Sequence, residues 1–142
     1  MASKNAYEGL QENIRQIELP AIETWDNKYP EKKFTVSTLT REFTCICPKT
    51  GLPDFASIEI EYMPAEKCLE LKSFKEYLFS FRNIGIFHEH VVNRILEDLV
   101  STCTPRYMKV KGEFNIRGGI RTAVEAEYRK EGEALPAGKG GS

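Results

Sequence analysis

The chain has 142 residues, 41% hydrophobic and 29% charged, and its 20 basic and 21 acidic side chains leave a formal net charge of −1. This composition suits one globular domain with its own core and lacks the clustered basic excess of a nucleic-acid binder. No run reaches the roughly 18 apolar residues of a membrane helix, and the polar N-terminus reads as no export signal. A cytoplasmic protein with four free thiols, bound to neither nucleic acid nor membrane, is therefore expected.

Residues 1–32 are polar and interrupted by Pro20 and Pro30; they read as an N-terminal arm with room for a short helix over 7–17. From 33 to 47 the chain is rich in β-formers. Its inward parity passes from Phe34 and Val36 to Leu39, Phe43, Cys45 and Cys47, which predicts a bulge near Ser37 and Thr38. Over 56–62, Ile58, Ile60 and Tyr62 alternate with Ser57, Glu59 and Glu61, the pattern of a strand with one buried face. The period then becomes helical. Phe74, Tyr77, Leu78 and Phe81 share a stripe over 73–83, and Val92, Ile95, Leu96 and Leu99 share another over 88–102. Two more strands follow. Met108, Val110 and Phe114 oppose Lys109, Lys111 and Glu113, while Ile120, Thr122, Val124, Ala126 and Tyr128 oppose Arg121, Glu125 and Glu127. A domain thus spans 33–131, and the tail over 132–142 is expected to be flexible.

This order of two strands, two helices and two strands predicts an α+β fold. An antiparallel four-stranded sheet would carry both helices on one face. Such a small sheet has unpaired edges, which closure with other subunits would satisfy.

Four constellations carry chemistry. In CICPKTGLPDF (45–55) a β-run ends at Cys47, and Asp54 follows in a loop constrained by Pro48, Gly51 and Pro53. A nucleophilic thiol with a proton-transfer group has these parts, but spacing alone leaves Cys47 open as a buried small hydrophobe. Around FHEH (87–90), the start of a helix favours negative charge. There Glu89 can accept hydrogen bonds from a guanine-like edge, and His88 lies four residues before Val92 on the core side. A favourable first-turn acid and a core histidine explain the same residues. In ELKSFK (70–75), Lys72 and Lys75 project from one side of a helix start, with Arg117 in a later RGG loop. They suit a phosphorylated cofactor or a solvated basic edge, and no Rossmann or P-loop pattern accompanies them. Cysteine and histidine spacings do not match a zinc set, so no metal is expected.

Together these segments resemble the QueF family of nitrile reductases, which convert 7-cyano-7-deazaguanine to 7-aminomethyl-7-deazaguanine with NADPH in queuosine biosynthesis. CPKTGLPDFA (47–56) is similar to the family's nucleophile loop, and ELKSFKEY (70–77) to the motif that sets these reductases apart from related enzymes. FSFRN (79–83), FHE (87–89), PRY (105–107) and RGG (117–119) complete the match across roughly 33–120, with Glu76 as one departure where an apolar or aromatic residue is expected. The resemblance implies the tunnelling fold shared with GTP cyclohydrolase I. It further implies a homo-oligomer of two stacked pentamers, with active sites at subunit interfaces.

It also implies roles. Cys47 would add to the nitrile carbon to give a thioimide, Asp54 would supply the proton, and His88 would be a second acid–base group. Glu70, Glu89 and the chain around Leu69 and Leu71 would bind the deazaguanine, with His88 beside it. Lys72, Ser73, Lys75 and Arg117 would contact NADPH. The rival readings are an amidinotransferase of the same superfamily acting on a tRNA-borne nitrile, a zinc-dependent pterin enzyme of the cyclohydrolase type, and a non-catalytic assembly protein. Cys45 is either core or a geometrically poor disulfide partner for Cys47.

Overall fold

The computed structural model describes residues 5–136. Its centre is an antiparallel sheet of four strands in the order β2-β3-β5-β6: β2 Val36–Ile46, β3 Pro53–Met63, β5 Tyr107–Arg117 and β6 Ile120–Arg129. Helices α1 (Leu71–Phe79) and α2 (His88–Cys103) supply the core opposite it, and a single 3₁₀ turn, Ser80–Asn83, follows α1. Strand alternation explains the sheet's buried face: Ile58, Ile60 and Tyr62 meet Val110 and Met108 from the next strand beneath Val92, Ile95 and Leu99 of α2. The helix packs tightly over Gly112, where a Cβ would lie 2.8 Å from a Val92 methyl. Phe81 packs between Phe43 and Tyr77, with ring centroids 5.6 and 5.4 Å apart. Thr104 ends α2 in the left-handed region (φ 43°), and Pro105 prevents its continuation.

Two expectations about the strands are corrected. The β2–β3 register shifts between Thr40 and Phe43, not near Ser37 and Thr38. Before the shift the inward positions are Val36, Thr38 and Thr40, so Leu39 lies on the outer face and is half exposed. Its apolar side chain suggested the wrong parity, because two threonines occupy the inward row. Strand β3 also begins at Pro53, where a missing N–H is tolerated. Asp54 is therefore a strand residue across from Cys45 rather than a loop residue.

The N-terminal segment is built into the domain. A kinked 3₁₀ stretch, Glu8–Gln16, lies beside α2, and β1 (Thr24–Asp26) pairs with β4 (Lys67–Leu69) in a small second sheet. Arg94, 8% exposed, ties this segment down by donating to the carbonyls of Ile14 and Ile17. Its charge is matched by Asp98, which accepts from Arg94 Nε at 2.8 Å and from the Tyr77 hydroxyl at 2.5 Å. A buried guanidinium is tolerable only when saturated in this way. The expected tail is anchored at Glu133, whose carboxylate meets Lys33 at 3.1 Å and Arg106 at 3.2 Å; residues 137–142 lie outside the described residues. No helix among the described residues is long and apolar enough to cross a membrane.

The register makes a measurable contrast. Ile60→Ala should lower unfolding stability by about 2–5 kcal/mol through lost burial and a residual cavity, whereas Leu39→Ala on the outer face should cost about 0.5 kcal/mol or less. Urea denaturation of both variants checks it, and equal costs would restore the predicted bulge position.

Candidate active site

The β2–β3 connection is a tight turn over 47–52. The Cys47 N–H donates to the Leu52 carbonyl and the Gly51 N–H to the Cys47 carbonyl, both at 2.8 Å. Gly51 takes φ 73°, the left-handed conformation that a glycine adopts without strain. This turn wraps the Cys47 sulfur in donors. Partial burial pushes the thiol up, but hydrogen bonds from the Thr50 side chain and the backbone of Thr50 and Lys49 outweigh it. The nearby Asp54 charge opposes the effect, and the net pKa still lies below the ordinary thiol value. Cys45 is its opposite. Full burial, then the Asp54 and Cys47 charges, push that thiol up to about 12, and its sulfur faces only the Ile86 carbonyl at 3.9 Å.

Asp54, 9% exposed, is held from two sides: Oδ2 faces His88 Nε2 at 3.1 Å and Oδ1 faces Arg117 Nη2 at 3.0 Å. Arg117 also donates to the Pro53 carbonyl at 2.7 Å. The His88 ring lies flat on Phe114, with centroids 3.7 Å apart and planes 10° from parallel. An imidazole fixed by a ring and a carboxylate can hold or pass a proton along one line. Cys47, Asp54, His88 and Arg117 therefore gather at one end of the sheet. Glu89 is exposed in the first turn of α2, beside them.

The other predicted residues lie elsewhere. Leu69 is buried and its N–H donates to the Tyr62 hydroxyl at 3.0 Å, which fixes this segment at the far end of β3. Eight residues of strand separate Tyr62 from Asp54, about 26 Å at 3.3 Å per residue. Glu70 caps α1, its carboxylate accepting from Ser73 N–H at 2.9 Å and from Lys72 N–H at 2.5 Å. These bonds, Ser73 first, hold its carboxyl below the usual range against some burial. Ser73 is buried, its hydroxyl donating to the Glu70 carbonyl and accepting from the Glu23 N–H. Leu71, Lys72 and Lys75 face outward. Arg117, grouped with the lysines by composition, stands instead with Asp54 at the opposite end.

Three contributors escaped the sequence reading. Thr50 sits three residues after Cys47 in a tight turn, a spacing that could have marked it as a thiolate donor. Phe114 has only strand parity to announce it, and Gln11, whose side chain donates to the Gly85 carbonyl at 2.8 Å just before His88, carries no local signal at all. Among the described residues, no group of three or more His, Cys, Asp or Glu side chains gathers as a metal set.

The QueF-like protein family model matches residues 53–133. Curated relatives named NADPH-dependent 7-cyano-7-deazaguanine reductase include one from Alkalilimnicola ehrlichii, 56% identical over 83% of this chain and 91% of its own. Another, from Nitrosococcus oceani, is 52% identical over 81% and 89%. A third, from Chlorobaculum tepidum, is 53% identical over 79% and 96%. Among solved structures, the archaeosine synthase QueF-Like in the apo form superposes with a TM-score of 0.62 at 29% identity, over 66% of this chain and 91% of that one. The chain belongs to the QueF-like protein family.

The thiol's surroundings predict opposite responses to two substitutions. Iodoacetamide alkylation of Cys47 should titrate with a midpoint below that of an ordinary thiol. Thr50→Val, by removing a donor to the thiolate, should raise the midpoint; Asp54→Asn, by removing a negative charge, should lower it. Shifts of the same sign in both variants would refute this account.

Proposed function

We propose that this protein reduces the nitrile of 7-cyano-7-deazaguanine to the amine of 7-aminomethyl-7-deazaguanine with NADPH, in queuosine biosynthesis. The observation that carries the reading is a thiol held below its ordinary pKa at the same sheet end as the Asp54–His88 pair. The names of relatives at 52–56% identity support it.

Nitriles accept hydride poorly, and covalent catalysis divides the difficulty. The Cys47 thiolate forms an S–C bond to the nitrile carbon while one C–N π pair moves to nitrogen. That nitrogen takes the proton held between Asp54 Oδ2 and His88 Nε2, giving a neutral thioimide. Two hydride-and-proton additions, with the thiol leaving between them, complete the change to the amine. The hydride is what NADPH supplies when bound. Lys72 and Lys75 fit its phosphates: both are exposed, one turn apart on α1, and neither makes an ion pair among the described residues. Ser73 supports this group through its hydroxyl bonds to the Glu70 and Glu23 backbones, and Arg117 acts through Asp54. Glu89 and Glu70, the latter between Leu69 and Leu71, offer carboxylates to the N–H edge of the deazaguanine.

These two halves, about 26 Å apart along β3, meet only when one copy lays its Glu70–Lys75 segment against the Cys47 end of another. The edges of the sheet, β2 and β6, and the exposed Leu71, Phe79, Ile116 and Ile120 support such an assembly. We take it to be a barrel of the tunnelling type, two pentamers face to face. The enzyme works in the cytoplasm on this reading, because Cys47 must remain a thiol to attack. The fold is also that of an archaeosine synthase, the amidinotransferase alternative. ELKSFKEY (70–77) and the higher identity to the reductases favour reduction.

Incubation with 7-cyano-7-deazaguanine without NADPH should add the whole nitrile to the intact mass, and Cys47→Ala should add nothing. No adduct at saturating nitrile would remove the mechanism. Mixing two inactive variants, Cys47→Ala and Glu70→Ala, through dissociation and reassembly should restore up to about a quarter of wild-type activity, since random partners rebuild that share of shared sites. No recovery would mean that each chain holds its own complete site.

A further inference from the structure

The stretch 84–87 leads directly into His88 and Glu89. On one side β2 holds it: the Ile46 N–H donates to the Ile84 carbonyl at 2.9 Å, and the Ile86 N–H to the Ile46 carbonyl at 3.0 Å. On its other side the Gly85 carbonyl and the Phe87 N–H point away from β2, as alternate peptide groups of an extended chain do. The Gln11 side chain meets both. Its Nε2 donates to the Gly85 carbonyl at 2.8 Å, and its Oε1 accepts from the Phe87 N–H at 3.4 Å and faces His90 Nδ1 at 3.1 Å. One side-chain amide thus stands where the peptide group of a further strand would stand.

Neighbouring contacts hold Gln11 in place. A Cβ on Gly85 would come within 2.0 Å of the Tyr7 Cβ, so only glycine admits the tyrosine this closely. Glu8 meets Lys49 of the nucleophile turn at 2.9 Å. Farther along, Arg15 pairs with Glu97 at 3.0 Å, and Arg94 takes the Ile14 and Ile17 carbonyls. Phe87, the residue before α2, offers no side-chain cap of its own.

We propose that Gln11 is a positioning residue of the active site: by pairing with Gly85 and Phe87 it fixes the height of 84–87 over β2, and so sets His88 and Glu89 against Cys47. This inference rests on the functional reading above. Besides the Ile46 contact that both share, Cys47 is held by the Leu52 and Gly51 bonds of its turn and the 84–87 stretch by Gln11, so each half of the proton-and-nucleophile geometry also has a support of its own. Loosening only one of them misaligns the pair without disturbing the thiol.

The test uses the full chain and two reactions of the same sulfur. Adduct formation with 7-cyano-7-deazaguanine, without NADPH, requires the proton donors in place; alkylation by iodoacetamide does not. Gln11→Met keeps the side chain's length and loses its hydrogen bonds. It should slow adduct formation about tenfold or more, since small misplacements are expensive, and leave Cys47 alkylation within about twofold of wild type. Arg15→Met, which frees the arm away from 84–87, should leave both rates near wild type. Equal slowing of both reactions in Gln11→Met, as in a general loss of structure, would overturn the inference. Wild-type adduct formation in Gln11→Met, or an equal loss in Arg15→Met, would do the same. A wild type that forms no adduct would sink the functional reading and this inference with it, whereas wild-type rates in Gln11→Met sink only the inference.

Discussion

Ile46 exchanges hydrogen bonds with both Ile84 and Ile86, and the Cys47, Asp54 and His88 cluster is arranged around that short parallel contact. It joins the last residue before Cys47 to the stretch before His88, two places distant in the chain. The β2–β3 hairpin then brings Asp54 across from Cys45, which completes the approach of carboxylate to imidazole. The bridge is anchored on the long β2–β3 ladder, and sliding it by one residue would break both of its bonds. A thiol in a turn and proton donors on β3 and α2 can thereby keep a fixed separation through hydrogen-bonded backbone at their bases.

The fold was largely legible because most strands and helices obey a single period. Ile58, Ile60 and Tyr62 could only be one face of a strand, and Val92, Ile95 and Leu99 only one stripe of a helix. Legibility failed where residue type and parity disagreed. Leu39 is apolar on the outer face, while Thr38 and Thr40 occupy the inner one, and β-branched threonines fill a pleated surface well enough to permit it. The membership of the site was legible only as a set of motifs. That Arg117 would stand with Asp54 rather than with Lys72 and Lys75 depends on the β5–β6 turn returning to the start of β3, and no local pattern encodes that return. Gln11 was unreadable for the same reason: its partners lie more than seventy residues away.

The distribution of exposed groups follows from the same architecture. The outer face of the sheet is charged but internally matched, with Lys111 between Glu113 and Glu125 and Arg121 against Glu113. Such pairs contribute little to stability in water, yet they keep that part of the face polar. The most exposed large apolar side chains are Leu71 and Phe79 on α1 and Ile116 and Ile120 at the β5–β6 turn, while Leu39 and Phe55 add half-exposed apolar surface to the outer face. A single copy thus keeps its core closed while leaving apolar side chains exposed beside both ends of the sheet.

The contrast between the four thiols has a further meaning for the protein's exposure to oxidants. Burial makes Cys45, Cys68 and Cys103 poor thiolates, so the chain offers one reactive sulfur and no ready second. A sulfenic acid formed at Cys47 would meet no resolving thiolate within its own chain, and the next steps of the oxidation ladder are irreversible. Rescue would then have to come from a thiol outside the chain, which can condense with the sulfenic acid before the irreversible steps.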